Sequence, residues 1–256
     1  MICGFADALQ MLDIHPQLSN LEKTGPTKEH KMKLRFLSHS CFLITTDANI
    51  RILIDPFLSR NPLAPIKSAD ITPNYILLTH AHGDHLGDTI EIAKHSDITV
   101  VCVSELANYL SKKGIKTHAM QIGGSFDFTW GSLRLTPAQH GSMTPDGVYG
   151  GLAAGLVITI DGTTIYHCGD TGLFGDMKLI GQRDKIDYML VPIGGNYTMD
   201  ITDALSAVEF VDPRIVIPMH YDTFDVIKAD PVIFAQGIEA QGRTAMILAP
   251  GDEIVL

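Results

Sequence analysis

Leu78-Thr79-His80-Ala81-His82-Gly83-Asp84-His85-Leu86-Gly87-Asp88 packs three histidines and a carboxylate into six positions, directly after the apolar run Tyr75-Ile76-Leu77. That run, through Leu78, reads as a buried strand. Extended backbone puts positions i and i+2 on one face, so His80 and His82 are expected to grip one cation together. Gly83 is expected to permit a sharp change of direction, letting Asp84 and His85 reach a second cation beside the first. Imidazole and carboxylate suit zinc, and also manganese or iron. The bland alternative is a polar loop with coincidental histidines. With 11 histidines in 256 residues, a loop gains nothing from such clustering, and the metal reading is preferred.

Two cations need more donors than one loop supplies, and further candidates stand at strand ends. His140 follows Leu133-Arg134-Leu135-Thr136, Asp170 follows Thr164-Ile165-Tyr166-His167-Cys168-Gly169, and His220 follows Ile215-Val216-Ile217-Pro218-Met219. Each lies where an apolar run stops, as expected if several strand ends converge on one rim. Singly, each reads equally well as a capping or satisfied core residue; together, after the loop cluster, they read as one donor set. Asp55, ending Arg51-Ile52-Leu53-Ile54 before Pro56, either holds a ligand imidazole by its second nitrogen or makes an ordinary Asp-Pro turn. Strand alternation puts Tyr166, Cys168 and Asp170 on one face and His167 on the other, away from metal. His15, His30, His95 and His118 have no partners at ligand spacing and read as surface residues.

Outward from these motifs, short β-branched runs recur. Strands are expected at 33–37, 43–45, 51–54, 75–78, 99–103, 133–136, 156–160, 164–166, 188–191 and 215–218. Helices are expected at 89–95, 104–113, 202–211 and 231–241, with Thr202 as a cap for the third. Asp161-Gly162 is a hairpin turn signal. Strands interleaved with fewer helices suggest an α/β layered domain. The core domain is expected to span 32–256, with residues 1–31 an extension carrying Gly25-Pro26. A chain of 256 residues suits one large core.

A net charge of −10 repels polyanions, and no basic cluster with interleaved aromatics offers a nucleic-acid track. No apolar run approaches the roughly 20 residues that span a bilayer. The scattered Cys3, Cys41, Cys102 and Cys168 read as reduced thiols of a cytoplasmic protein. A homo-oligomer is left open.

The order H-x-H-x-D-H, then His, Asp and His resembles the metal signature of the metallo-β-lactamase superfamily from Met32 onward. Ser38-His39-Ser40-Cys41-Phe42-Leu43-Ile44, Tyr166-His167-Cys168-Gly169-Asp170-Thr171-Gly172-Leu173-Phe174 and Ile217-Pro218-Met219-His220-Tyr221-Asp222-Thr223-Phe224 are similar to its metal-dependent hydrolase branch, related to ascorbate-phosphate lactonases. The resemblance implies a four-layer αβ/βα sandwich. It also implies one metal on His80, His82 and His140, a second on Asp84, His85 and His220, and Asp170 bridging. A hydroxide between two dications, zinc by that resemblance, would attack a small ester, lactone, amide or phosphodiester, with Asp84 orienting it and taking its proton. His39 is implied near the metals, with a buried histidine bonded to backbone as the alternative; Thr198 and Asp200, in the Gly194–Asp200 loop, are implied to contact substrate or support ligands. A nuclease or RNA-processing enzyme of the same fold and a non-catalytic metal-binding protein are the competing readings.

Overall fold

A computed structural model describes residues 32–94 and 97–256. Residues 1–31, with His15, His30 and Cys3, and also His95, lie outside the described residues. The first sheet is built from β1 (Lys33–Phe36), β2 (Phe42–Thr45), β3 (Arg51–Ile54), β4 (Tyr75–Leu77), β5 (Thr99–Val103) and β6 (Thr117–Met120). The second follows with β7 (Ser125–Phe128), β8 (Gly131–Pro137), β9 (Ala154–Ile160), β10 (Thr163–His167), β11 (Tyr188–Pro192), β12 (Ile215–Met219) and β13 (Thr244–Ala245). The chain then returns as β14 (Glu253–Val255) to the β1 edge of the first sheet. The resulting orders are β14-β1-β2-β3-β4-β5-β6 and β13-β12-β11-β10-β9-β8-β7.

Each sheet is half antiparallel and half parallel: pairing turns parallel at β3–β4 in the first and at β10–β11 in the second. Apart from β3–β4, linked by a loop with one short 3-10 turn at Ser68–Asp70, the parallel connections run through α-helices, as such crossovers usually do. They are α1 (Gly83–Leu86), α2 (Thr89–Lys94) and α3 (Ser104–Ser111) in the first half, and α4 (Met177–Arg183), α5 (Ile201–Val211) and α6 (Pro231–Ala240) in the second. Helices α2 and α3 pack on the first sheet, α5 and α6 on the second, and α4 on α5. One apolar core joins residues of both sheets, and a Phe42–His167 ring contact at 5.8 Å crosses between them. This is the expected αβ/βα sandwich. Among the described residues no helix is long and apolar enough to cross a membrane.

Local rules explain most elements. Asp161 (φ 50°) and Gly162 (φ 85°) turn β9 into β10 with both residues left-handed, the geometry an Asp-Gly hairpin favours. Asp230 caps α6 by accepting from Val232 N–H at 2.8 Å, with Pro231 at the first helical position. Three expectations need correction. Helix α5 is capped by Asp200, which accepts from Asp203 N–H at 2.9 Å, so Thr202 lies inside the helix. His118 is half-buried in an aromatic ladder: it meets Phe126 at 4.3 Å, Phe126 meets Phe128, and Phe128 stacks on Trp130 at 4.9 Å. That ladder joins edge strands β6 and β7 of the two sheets and covers edges that would otherwise template aggregation. Gly83, finally, does stand where the chain changes direction, but not by glycine's special freedom: it starts α1, and a Cβ there would meet Pro145 at an ordinary 3.6 Å.

Candidate metal centre

The strands that carry the candidate residues all point the same way within their sheets. β1, β3 and β4 share one direction in the first sheet, as do β8, β10 and β12 in the second. His39, Asp55 and His80 therefore follow carboxyl ends of the first sheet, and His140, Asp170 and His220 those of the second. Carboxyl ends of parallel strands are where α/β sheets place ligands, since the chain must leave the sheet there. Leaving it is strained at three of these points: His39 (φ 61°), Asp55 (φ 42°) and His220 (φ 54°) adopt left-handed backbone. Such conformations cost a residue with a Cβ about 1 kcal/mol or more each, and persist where surrounding bonds over-determine them. Here His220 N–H donates to the His39 carbonyl at 2.9 Å, tying one sheet to the other, and Asp55 N–H donates to Leu77 at 3.1 Å.

The loop after β4 behaves as a compact donor block. His82, extended (φ −61°, ψ 154°), precedes the single turn α1, which carries Asp84 and His85 around toward the same space. Gly87 (φ 43°) ends the turn, and only glycine fits there: a Cβ would sit 2.1 Å from the Pro56 carbonyl oxygen. The far end is stitched to the Asp55–Ser59 turn by Asp88, whose Oδ2 accepts from Leu58 and Ser59 N–H at 2.9 and 2.8 Å.

Ring nitrogens and carboxylate oxygens converge in two adjoining groups. His80 Nε2 and His140 Nε2 approach His82 Nδ1 at 3.0 and 3.2 Å. On the other side Asp84 Oδ2 stands 3.9 Å from His220 Nε2 and 4.0 Å from His85 Nε2. Asp170 lies between, 3.2 Å from His85, 3.0 Å from His220 and 3.6 Å from His140. His80, His82 and His140, then His39, Asp84, His85 and His220, and His80, His85 and Asp170 each form a group able to hold a cation. Among the described residues no cysteine joins these groups. His85 Nε2, His220 Nε2 and Asp170 Oδ1 are buried yet lack a hydrogen-bond partner. Leaving such atoms unmatched costs about 1–3 kcal/mol each, and a cation between them removes the cost.

Buried partners orient the imidazoles. Asp55, fully buried, accepts from Thr79 N–H at 2.9 Å, Thr79 Oγ1–H at 2.6 Å and His85 Nδ1–H at 2.7 Å. Thr79 Oγ1, its proton on Asp55, accepts in turn from His80 Nδ1–H at 3.0 Å. Both rings therefore aim Nε2 at the centre. His39 bonds Thr223 Oγ1 through Nδ1 at 2.9 Å and Asp84 Oδ2 through Nε2 at 3.2 Å. His167 is not in the donor groups; its Nε2–H donates to the Ser40 carbonyl at 3.0 Å and its Nδ1 accepts from Gly169 N–H at 3.1 Å. It thus ties the His39 turn to the Asp170 turn. Ser142 Oγ accepts from Ala81 N–H at 3.2 Å, and Thr171 Oγ1 from Gln139 N–H at 2.9 Å. Thr79, Ser142, Thr171 and Thr223 are supports that sequence reasoning missed, since a threonine or serine near a strand end carries no pattern of its own.

Burial above all lowers His39, to about 4, with the neighbouring His220 adding to it, and burial likewise lowers His80, His82 and His140. These rings are neutral near pH 7, the form that donates a lone pair. For Asp84 and Asp170 burial pushes upward, but His85 and His39 for the first, and His220 and His85 for the second, hold them below the usual carboxylate range. For His85 burial pushes downward, yet Asp170, Asp55 and Asp84 outweigh it and raise it well above its ordinary value. The donor set is ionised carboxylates and mostly neutral imidazoles, with one proton on His85 for an entering cation to displace.

Half-buried His82, Asp84 and His140 face a cavity of about 850 Å³ whose apolar walls include Phe57, Met143, Tyr197, Phe224 and Val226. Thr198 is half-buried beside it, its hydroxyl turned to the Met199 carbonyl at 3.4 Å, and Asp200 is exposed at the head of α5. Neither lines the cavity, whereas neighbouring Tyr197 does.

Residues 50–221 match the beta-lactamase superfamily domain. A UPF0173 metal-dependent hydrolase of Carboxydothermus hydrogenoformans is 49% identical over 227 residues, covering 88% of this chain and 100% of that protein. Igni18, a metallo hydrolase from the archaeon Ignicoccus hospitalis, has a TM-score of 0.81 at 36% identity, covering 88% of this chain and 98% of its own. An isothiocyanate hydrolase from Delia radicum gut bacteria shares the fold, with a TM-score of 0.71 at 20% identity over 88% of this chain and 99% of that one. Strand ends that deliver histidine and aspartate to one rim, in a sandwich matched along most of its length by such relatives, place this chain in the metallo-β-lactamase superfamily, among its metal-dependent hydrolases.

Proposed function

We propose that the domain spanning residues 32–256 hydrolyses a small ester, lactone, amide or phosphodiester with two divalent cations, zinc by the donor chemistry. The observation that carries this reading is the trio of buried donor atoms on His85, His220 and Asp170 that face one another without a hydrogen bond. His80, His82 and His140 would hold one cation and Asp84, His85 and His220 the other, with Asp170 shared. Such a pair, when bound, supplies Lewis acidity toward the substrate oxygen and makes hydroxide available near neutral pH.

The chain's own residues do the rest. His39 Nε2–H fixes one Asp84 oxygen at 3.2 Å, leaving the carboxylate's other oxygen to orient the attacking water and take its proton. Asp55 and Thr79 hold His80 and His85 in the donor tautomer, so no reorganisation is needed during turnover. The apolar walls position the substrate and exclude bulk water from the reacting bond.

Elemental analysis of purified wild type and Asp170→Ala tests the reading. About two equivalents of zinc in the wild type, falling clearly in the variant, are expected, with turnover in a panel of lactones, esters, thioesters and phosphodiesters. One equivalent or none, the same in both proteins after reconstitution, overturns the two-cation centre. Turnover of RNA alone transfers the activity to the nuclease reading.

A further inference from the structure

Arg60 is the only arginine or lysine lining the cavity over the donor groups. Among the described residues it has no hydrogen bond, ion pair or ring partner within reach, and its side chain is exposed. The acidic groups of the same cavity are otherwise engaged: Asp84 and Asp170 face the donor cluster, and Asp225 pairs with Lys228 at 3.0 Å. The backbone just before Arg60 is firmly held, because Asp88 takes the N–H groups of Leu58 and Ser59. What sets Arg60 apart from other unpaired basic residues is its place on a pinned turn at the rim of the donor cavity. Its five donors are free for an anion that arrives with a ligand.

Position adds a second argument. A neighbouring groove of about 670 Å³ meets the donor cavity along Phe57, Arg60, Gly83 and Pro145. Arg60 therefore stands where the two join, in the same cavity as Tyr197 and Phe224. For a ligand whose reacting bond lies at the donor groups and whose apolar part rests on Phe57, Tyr197 and Phe224, Arg60 is the arginine or lysine that the donor cavity itself offers to a negative charge, while Lys94 lies out along the adjoining groove.

We propose that the substrate is an amphipathic ester or lactone carrying a carboxylate or phosphate, and that Arg60 binds this anion and sets the selectivity for it. The inference rests on the hydrolase reading above and adds the substrate's chemistry. An exposed arginine is screened by solvent, so its contribution is about tenfold rather than thousandfold. That contribution weakens as salt is raised.

The test uses the zinc-loaded protein and two chromogenic esters of matched length, anionic 4-nitrophenyl hydrogen glutarate and neutral 4-nitrophenyl pentanoate. The kcat/KM ratio, anionic over neutral, is expected to fall about tenfold in Arg60→Ala, further in Arg60→Glu, and least in Arg60→Lys. The change in the ratio should lie in KM rather than kcat. A ratio unmoved in both Arg60→Ala and Arg60→Glu overturns the proposal. If the wild type hydrolyses neither ester, ester hydrolysis fails while Arg60 is still read by calorimetric titration with 4-phenylbutanoate and 4-phenylbutan-1-ol. The wild type should then prefer the carboxylate by about fivefold more than Arg60→Ala does; equal preferences overturn the inference.

Discussion

The two sheets repeat one scheme, antiparallel strands followed by parallel crossovers, yet they furnish the centre in different ways. The first sheet delivers His80, His82, Asp84 and His85 from one loop after β4, held by a single helical turn. The second delivers His140, Asp170 and His220 singly, from the ends of β8, β10 and β12. Donors in one loop meet because of local backbone geometry. Donors on three strands meet only if strand register and the bonds between sheets are correct. The first half is thus a preassembled block, and the second a set of separate fingers whose aim depends on the whole domain.

That contrast can be broken most severely at Asp170, the finger shared between both groups. Asp170→Ala should lower kcat/KM by about 10³-fold or more, about 4 kcal/mol of barrier. Steady-state assays at saturating zinc check this, and an effect below tenfold would remove Asp170 from the centre.

The next largest effect is on the pH dependence of the metal-free protein. His39 sits in the turn that receives the His220 amide, and its folded value of about 4 lies below the ordinary histidine value of 6.5. A histidine lowered on folding contributes stability that is complete above its unfolded value and lost as pH falls through the folded one. The wild type should therefore lose up to about 3 kcal/mol from this group between pH 6.5 and 4. Urea midpoints at the two pH values should differ less in His39→Asn, although His80, His82 and His140 leave a residual slope.

Within the preassembled block, Asp55→Asn should weaken zinc binding about 10- to 100-fold, because the amide cannot match all three donors that Asp55 receives. A competition titration with a chromogenic chelator reads it. His167→Leu sharpens the comparison with the smallest effect. It leaves the Ser40 carbonyl and Gly169 N–H unpaired and should destabilise by about 1–3 kcal/mol. Zinc loss on urea titration should then begin earlier than in the wild type, with helix signal retained.

The strand and helix reading succeeded where patterns were strong. Buried strands such as β5, β9, β11 and β12 are near-continuous apolar runs, and the Asp161-Gly162 turn has one favoured geometry. It missed β6 and β7, edge strands whose Thr-His-Ala-Met and Ser-Phe-Asp-Phe are largely unburied, and β13 and β14, short strands paired with distant chain. It also missed α4, where Gly181 weakens the helical signal because it packs against α5; a Cβ there would lie 2.2 Å from the Val211 carbonyl oxygen. Likewise Thr202 looked like a cap and Asp200 a substrate or supporting contact, but the helix is capped two residues earlier, by Asp200.

Sequence alone determined the donor inventory and its strand-end positions, because ligand type and hydrophobic period are local properties. The H-x-H-x-D-H spacing also implies its own convergence, since few backbone paths connect four donors so close together. Tertiary structure decided which strand ends face one another, the left-handed backbone at His39, Asp55 and His220, and the chain from Asp55 through Thr79 to His80. It also left Arg60, among the described residues, without an acidic partner at the mouth of the cavity. These depend on pairings between residues tens to hundreds of positions apart, such as His39 with Thr223 and Ser40 with His167. No local pattern encodes them, because only the closing of two sheets over one core brings those groups within bonding distance.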